Sequence, residues 1–151
     1  MDTLNLMTEV QLAYLAGLLD GEGCITVCQR GRKLKSGTPQ HEALVAVGMV
    51  DPTAILWALN ATGLGRIRRH DNTKYNPKWS MAYTWRVSTR DAARLLERVL
   101  PYLQLKKRQA ELVIEITALK RLSTNKVQHA PERQAAIIEE MRGLNRRGRA
   151  A

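Results

Sequence analysis

Residues 15–23, with the sequence LAGLLDGEG, constrain the fold more than any other part of the chain. An apolar stripe at helical spacing runs into this segment and predicts a helix over about residues 9–20, which Thr8 and Gln11 begin as a capping box. Gly17 in the interior of such a helix costs roughly 1 kcal/mol against alanine, so a close contact should justify it. An alternating strand pattern follows directly, so this helix must end where a sheet begins.

The same helix carries two features that call for a partner outside it. Ala13, Gly17 and Gly21 recur every four residues, so one helix face lacks bulk and would let a second helix backbone approach closely. Asp20 and Glu22 lie at the C-terminal end, where the macrodipole disfavours negative charge. A carboxylate held there indicates a bound cation. The simpler alternative, an apolar helix with a glycine C-cap, explains the last glycines but not the acids.

The remaining patterns alternate between strands and helices. Strands are predicted at about 24–30, 41–50, 65–70 and 81–88, and helices at about 52–62, 91–99, 106–122 and 131–144. This order predicts an α+β fold, in which a four-stranded, largely antiparallel sheet has helices on one face and leaves the other face exposed. We expect a single domain over residues 1–151, with a core at about 8–122, a helical extension at 123–145 and a basic tail at 146–151.

The chain is strongly basic, with 24 Lys and Arg against 14 Asp and Glu and a formal charge of +10. An excess of this size indicates an anionic partner, with nucleic acid first and an acidic membrane second. The basic residues fall on the predicted strands and their loops, whereas the acids gather on the later helices. This segregation favours a charged binding face, and a merely solvated surface is the competing interpretation.

Location is indicated by what the sequence lacks. No apolar stretch is long enough to span a bilayer, and the chain opens with polar residues rather than a basic-then-apolar signal segment. Cys24 and Cys28 lie four residues apart on one face of a predicted strand, too far to bridge, and two free thiols fit a reducing compartment. We therefore expect a soluble, intracellular protein with no membrane partner.

The third predicted strand places positive charge at regular spacing. Arg66, Arg68 and His70 alternate along it, so they share a face with which the sheet would follow the DNA major groove. RNA fits less well, because its A-form major groove is too narrow. Aromatic residues after this strand either stack on single-stranded bases or close the end of a hairpin core. They are Tyr75, Trp79, Tyr83 and Trp85.

Residues 15–23 resemble the signature of the LAGLIDADG homing endonucleases, with Leu19 in place of Ile, Gly21 in place of Ala and Glu22 in place of the second Asp. The element order over about residues 8–122 is similar to the family's αββαββα fold, whose antiparallel sheet is saddle-shaped. Residues 101–110, PYLQLKKRQA, resemble the segment that bears a catalytic-site lysine. A single copy of the signature is similar to the branch whose members act as homodimers.

The resemblance implies a homodimeric, site-specific DNA endonuclease that makes metal-dependent double-strand breaks with short 3′ overhangs in a long pseudopalindromic site. Glu22 and the carbonyl of Gly21 would hold Mg²⁺, for which Mn²⁺ or Ca²⁺ substitutes in crystals. Lys106 would polarise water near the scissile phosphate. Asp51, where relatives often carry Gln, is a third catalytic candidate, although an N-cap role is equally good. Ile55 stands where relatives carry a basic residue, and it cannot bind phosphate.

Strand parity and the family's geometry predict the DNA contacts as Thr26, Cys28, Arg30, Arg32, Arg66, Arg68, His70, Tyr83, Lys74 and Lys78. The predicted dimer contacts are Ala13, Gly17, Asp20 and Gly21, with Asp20 capping the partner helix. Asp51 and Ile55 motivate an alternative, an intron maturase or a non-cleaving DNA- or RNA-binding protein on the same fold. A membrane-surface or generic basic protein is a third class, and it gives Glu22 no role.

Overall fold

A computed structural model describes residues 2–33, 39–124 and 127–146 of the chain, with residues 30–33 and 39 described by their backbone alone. The predicted order of helices and strands is confirmed, with small shifts at the element ends. The elements are α1 Glu9–Glu22, β1 Gly23–Lys33, β2 Pro39–Met49, α2 Thr53–Thr62, β3 Arg66–Asp71, β4 Met81–Ser88, α3 Thr89–Val99, α4 Lys107–Leu122 and α5 Pro131–Asn145.

The four strands form one antiparallel sheet in the order β1-β2-β4-β3. Alternate residues on one face are fully buried: Ile25 pairs with Val45, which in turn pairs with Val87. The apolar stripes of the helices join these residues in a single core. The prediction of a four-stranded antiparallel sheet with a buried helical side is therefore confirmed.

Helix α1 begins and ends as local chemistry requires. At its start the N–H of Gln11 donates to Thr8 Oγ1 (3.2 Å) and the N–H of Thr8 donates to Gln11 Oε1 (3.0 Å), so the predicted capping box is present. At its end the N–H of Gly23 donates to the carbonyl of Leu19. A Cβ at Gly23 would lie 2.6 Å from that oxygen, so only glycine lets the helix pass directly into β1.

The aromatic residues of the second hairpin divide between the core and the surface. Trp85 is fully buried, and its indole N–H donates to the carbonyl of Leu64 at 2.9 Å. Tyr83 packs against the same core from the same strand. Tyr75 and Trp79, in the connection between β3 and β4, are 82% and 55% exposed. Closing a hairpin core is thus the role of Trp85 and, in part, of half-buried Tyr83, whereas Tyr75 and Trp79 are exposed.

Helix α5 packs against α4 and β1. Its residues Ile137 and Met141 join the core, and two bidentate ion pairs join the helices on their exposed sides. Arg108 donates to Glu140 at 2.5 and 2.9 Å, and Arg133 donates to Glu115 at 2.6 and 2.8 Å, which lowers the pKa of both carboxyl groups. The division of the chain into core, extension and tail stays a prediction, and the tail beyond Arg146 lies outside the described residues.

Across the parts of the chain that the structure describes, no helix combines the length and the apolarity that crossing a membrane requires.

Replacing Trp85 with Phe should lower the free energy of unfolding by about 1–3 kcal/mol, because the buried carbonyl of Leu64 loses its donor. Urea unfolding followed by circular dichroism measures this. Trp79→Phe is the matched control, because that ring is 55% exposed, and it should change stability by less than about 0.5 kcal/mol. Equal costs for the two variants would contradict the assignment of Trp85 to the core.

Candidate active site

The end of α1 presents an exposed acid at the edge of the sheet. Glu22 is the last residue of the helix and its side chain is exposed. No described residue makes a hydrogen bond or an ion pair with it. No group of three His, Cys, Asp or Glu side chains suited to a metal ion occurs among the residues that the structure describes. One copy of the chain thus offers a single carboxylate here rather than a complete ligand set.

Lys106 lies beneath this helix end. It is 9% exposed, and its ammonium group donates to the carbonyls of Leu19 (2.9 Å), Asp20 (2.9 Å) and Gly23 (2.5 Å). The last carbonyls of a helix lack intrahelical partners and carry the negative end of its dipole. The lysine supplies both hydrogen bonds and positive charge to α1, whose own last turn contains no basic residue.

Asp20 makes the reverse contact, from α1 to the residues before α4. Its carboxylate accepts the backbone N–H groups of Gln104 (2.8 Å), Leu105 (3.1 Å) and Lys106 (3.0 Å). One sequence interpretation is corrected here, and the predicted contact of Asp20 with a partner helix stays a prediction. Asp20 holds a loop of its own chain. The carboxylate at the unfavourable end of α1 is stabilised by peptide N–H groups, so Asp20 gives no evidence of a bound metal.

We refer to this pair of contacts as the Asp20–Lys106 clamp. It surrounds the segment Gly21–Gly23, which contains Glu22. The carbonyl of Gly21 is not among the three acceptors of Lys106. The predicted oxygen pair, the Glu22 carboxylate and the Gly21 carbonyl, is therefore left outside the clamp.

The small-residue face of α1 is open. Ala13, Gly17 and Gly21 are exposed, and a Cβ placed on either glycine would meet no atom within 4 Å. Packing inside the described chain thus gives no reason for glycine at these positions. A second helix packed against this face would give such a reason, because glycine lets two backbones approach closely.

Asp51 lies beside the first half of α1. Its Oδ1 accepts the N–H (3.0 Å) and the hydroxyl (2.6 Å) of Thr53, which lowers the pKa of Asp51. It lines a pocket of 690 Å³ together with Tyr14, which precedes Glu22 by about 12 Å along the helix axis. The contact matches the capping alternative, and the catalytic role of Asp51 stays a prediction. Ile55 is fully buried, so it does not face a ligand.

The outer face of the sheet carries the predicted basic residues. Arg66, Arg68 and His70 are exposed on the face opposite the core, whereas Ile67 between them pairs with buried Trp85. On β1, Thr26 and Cys28 share this outer face with exposed Cys24, and both thiols are free. The side chains of Arg30 and Arg32 lie outside the described residues, while Lys74 and Lys78 are exposed in the β3–β4 connection.

Strand β4 corrects one prediction and adds one residue. Tyr83 pairs with Met49, and Trp85 pairs with Val47, with no bulge between the two pairs. Tyr83 is therefore on the same face as buried Trp85, which is the core face rather than the outer surface. Arg86 takes the outer face instead, directly opposite Arg66. Sequence reasoning missed this arginine. A buried core position for the neighbouring tryptophan would have shown that the arginine lies on the opposite, outer face of the strand.

Positive charge continues past the end of β4. A pocket of 250 Å³ beside the start of α3 is lined by Thr89, Arg90, Thr117, Lys120, Arg121 and Ala43, with no acidic residue among them. Nearby, burial, Lys120 and Arg142 lower the pKa of His41, in that order of importance. The outer face and this flank therefore present mainly positive or neutral groups.

No family model matches the sequence. Among curated proteins, the DNA endonuclease I-CvuI of Chlorella vulgaris is 28% identical over 151 aligned positions, which cover 95% of this chain and 84% of that protein.

Solved structures with the same architecture cover nearly the whole chain. I-CvuI in complex with the I-CreI target DNA has a TM-score of 0.75 and 24% identity, covering 95% of this chain and 86% of that one. The archaeal intron-encoded homing endonuclease I-Vdi141I, in complex with DNA, has a TM-score of 0.72 and 16% identity, covering 93% and 87%. These similarities confirm the predicted fold.

Proposed function

We propose that the chain is a member of the LAGLIDADG homing endonuclease family with one signature segment, and that it is a homodimeric, site-specific DNA endonuclease. It makes metal-dependent double-strand breaks with short 3′ overhangs in a long pseudopalindromic site. The observation that carries this proposal is the Glu22 carboxylate, which has no hydrogen-bond or ion-pair partner among the described residues. It lies next to an open glycine face of α1, at one edge of a sheet whose outer face carries arginines on β3 and β4. A DNA target and free thiols both suit an intracellular location.

Dimerisation follows from the exposed face of α1. When two copies pack through Ala13, Gly17 and Gly21, their backbones approach closely and little side-chain volume separates them. Glu22 directly follows the last of these residues, so the same contact brings two carboxylates toward one axis. Like charges this close repel each other unless a cation lies between them.

The donor set suits a divalent metal ion. The Glu22 carboxylate and the Gly21 carbonyl are hard oxygen ligands of the kind that Mg²⁺ prefers, and a second copy doubles their number. A bound divalent cation supplies water activation and stabilises the leaving oxygen of phosphodiester hydrolysis. The I-CvuI complexes were solved in the presence of Mg or Ca, which supports this assignment. The protein itself contributes a fixed position for Glu22 and a surface that aligns the DNA.

The outer face of the sheet is the DNA-binding surface. Arg66, Arg68 and Arg86 lie side by side there, and arginine forks match the edge of guanine in the major groove. Arg90 and Arg121 at the flank suit backbone phosphates, which fix the register without reading sequence. The non-cleaving alternative gives no reason for an exposed Glu22 that has no partner in the part of the chain that the structure describes.

Replacing Glu22 with Gln should abolish cleavage, by about 10³-fold or more, because the carboxylate ligand is lost. A library of randomised DNA sites first selects the sequence that the unmodified protein cuts in Mg²⁺. Single-turnover cleavage of that site then compares the variants, with Glu97→Gln, at an exposed position of α3, as the matched control. Sequence-specific binding should persist in both. Unchanged cleavage by Glu22→Gln, or no cleavage by the unmodified protein with any divalent metal, would contradict the proposal.

Replacing Gly17 with Leu should convert the dimer to a monomer that keeps its fold, because Gly17 is exposed and a Cβ there meets no atom of its own chain within 4 Å. Analytical ultracentrifugation gives the mass and circular dichroism gives the fold. Gly143→Leu is the matched control, since Gly143 is an exposed position of α5 where a Cβ also meets nothing within 4 Å. A Gly17→Leu protein that remains dimeric would place the interface elsewhere.

Removing Arg86 should weaken binding to the selected site by about 1–3 kcal/mol and relax the preference at one base pair in each half-site. Arg69→Ala is the control, because Arg69 pairs with Tyr83 and so has the opposite parity on the neighbouring strand. Fluorescence anisotropy over a panel of single-base variants measures both effects. Equal losses for the two variants, with no change of base preference, would mean that the outer face does not read sequence.

A further inference from the structure

The connection between β3 and β4 contains a short tandem repeat. Residues 72–79 have the sequence NTKYNPKW, so a unit of Asn, a variable residue, Lys and an aromatic residue occurs twice in succession. In each unit the N–H of the aromatic residue donates to the carbonyl of the asparagine, from Tyr75 to Asn72 at 3.1 Å and from Trp79 to Asn76 at 2.9 Å. The two units are therefore two consecutive turns, and we refer to residues 72–79 as the double turn.

Local hydrogen bonds fix the backbone of the double turn. Before the first unit, Asp71 Oδ1 accepts the hydroxyl and the N–H (3.1 Å) of Thr73, which lowers the pKa of Asp71. In the second unit, Asn76 Oδ1 accepts the N–H of Lys78 at 3.0 Å, and Pro77 restricts φ at the second position of the turn. An ordered backbone loses little conformational entropy when its side chains bind a ligand.

The side chains of the double turn are suited to a nucleic acid. Tyr75 and Trp79 are 82% and 55% exposed, and the lysine before each of them is also exposed. A single exposed aromatic residue is normal on a protein surface, but here the same Lys–aromatic pair occurs twice on ordered turns. Residues 66–80 contain five Lys or Arg and only one acid. Lysines match phosphates, and rings match the apolar parts of bases.

The double turn lies at the end of the sheet where α1 enters. The row of paired residues that begins at Gly23 of β1 ends at Ile67 of β3, three strands away. Because β3 runs opposite to β1, it leaves this row toward α1 and continues for four residues to Asp71. Strand spacings of about 4.8 Å and a rise of about 3.3 Å per residue give roughly 20 Å between Gly23 and Asp71. At about 3.4 Å per base pair, this distance spans about six base pairs of DNA.

We propose that the double turn reads thymine in the inner part of each half-site. Tyr75 and Trp79 contact the C5-methyl groups of thymines in the major groove, and Lys74 and Lys78 bind the phosphates beside them. This inference rests on the proposed DNA target, and it assigns a specificity-determining role to two residues on which cleavage chemistry places no demand.

Thymine follows from the geometry of an intact duplex. The β3–β4 hairpin is a two-stranded ribbon of the kind that the major groove admits, and the double turn is its tip. Within a stacked duplex the faces of the bases are covered, so a ring that enters this groove meets base edges. The C5-methyl group of thymine is the apolar group that these edges offer.

The test is a selection of randomised duplexes by binding, in Ca²⁺ without Mg²⁺, so that it does not require cleavage. The unmodified protein should select thymine at symmetric positions within about six base pairs of the centre of the site. Tyr75→Ala and Trp79→Ala should each lose part of this preference and keep the preferences elsewhere, whereas Trp79→Phe should retain it. Leu144→Ala, at a 41% exposed position of α5, is the matched control.

Deoxyuridine in place of a selected thymine removes only the methyl group. Replacement in both half-sites should weaken binding of the unmodified protein about tenfold, since one buried methyl group contributes roughly fourfold. The alanine variant that lost this position should not be weakened further, because the contact is already absent. Fluorescence anisotropy measures all four affinities.

The lysines should act on affinity without changing the preferred bases. In a dimer, Lys74→Met or Lys78→Met removes one phosphate contact from each copy, so the salt dependence of log Kd should become shallower by about two. Arg142→Met, at an exposed position of α5, is the matched control and should leave this slope unchanged.

The inference is overturned if the unmodified protein selects no thymine in this region, or if the alanine variants select the same bases as the unmodified protein. It is equally overturned if deoxyuridine weakens the alanine variants as much as the unmodified protein. Specific binding without cleavage in Mg²⁺ would contradict the proposed endonuclease activity, whereas the selection would still decide the role of the double turn. A protein that binds no DNA would contradict both.

Discussion

The reciprocal contact between α1 and α4 organises the candidate active site. The Asp20 carboxylate of α1 accepts hydrogen bonds from the N–H groups that precede α4. In turn, the ammonium group of Lys106, just before α4, donates to the carbonyls that end α1. Each charge thus lies at the helix end where the dipole favours it: Asp20 belongs to α1 and lies at the start of α4, and Lys106 directly precedes α4 and lies at the end of α1. The glycine at position 23 then lets α1 pass into β1 without a gap. Glu22 is the one acid of this junction that the fold leaves unpaired among the described residues.

One face of the sheet packs in the core, and the other face is exposed. One face is closed by the helices around Trp85 and the aliphatic residues of the central strands. The other face carries arginines at alternate positions of β3 and at Arg86 of β4. Because side chains alternate strictly along a strand, a buried core on one side dictates which residues a ligand can meet on the other. Glu22 lies where α1 joins β1, at the border between the helix layer and the sheet, and β1 is the edge strand opposite β3.

Local patterns were sufficient to predict most of the fold. The capping box of Thr8 and Gln11, the period-two strands and the bare face of α1 all depend on neighbours in sequence, and the structure has each of them. Long-range partners were not predictable. Asp20 was interpreted as a sign of a cation because its real partners lie 84 to 86 positions away. Tyr83 was placed on the wrong face, and Arg86 was missed, because the parity of β4 is set by its register with β2 and β3 rather than by its own sequence.

The central claim is that two copies of the chain bring their Glu22 carboxylates together around a divalent cation. A crystal structure of the protein with its selected DNA site and Mn²⁺, recorded at the manganese absorption edge, measures this directly. The account predicts anomalous density on or beside a two-fold axis, within about 2.0–2.6 Å of Glu22 carboxylate oxygens from both copies, the range of oxygen ligation for hard divalent ions. Manganese bound away from Glu22, or carboxylates of the two copies that point apart into solvent, would contradict it.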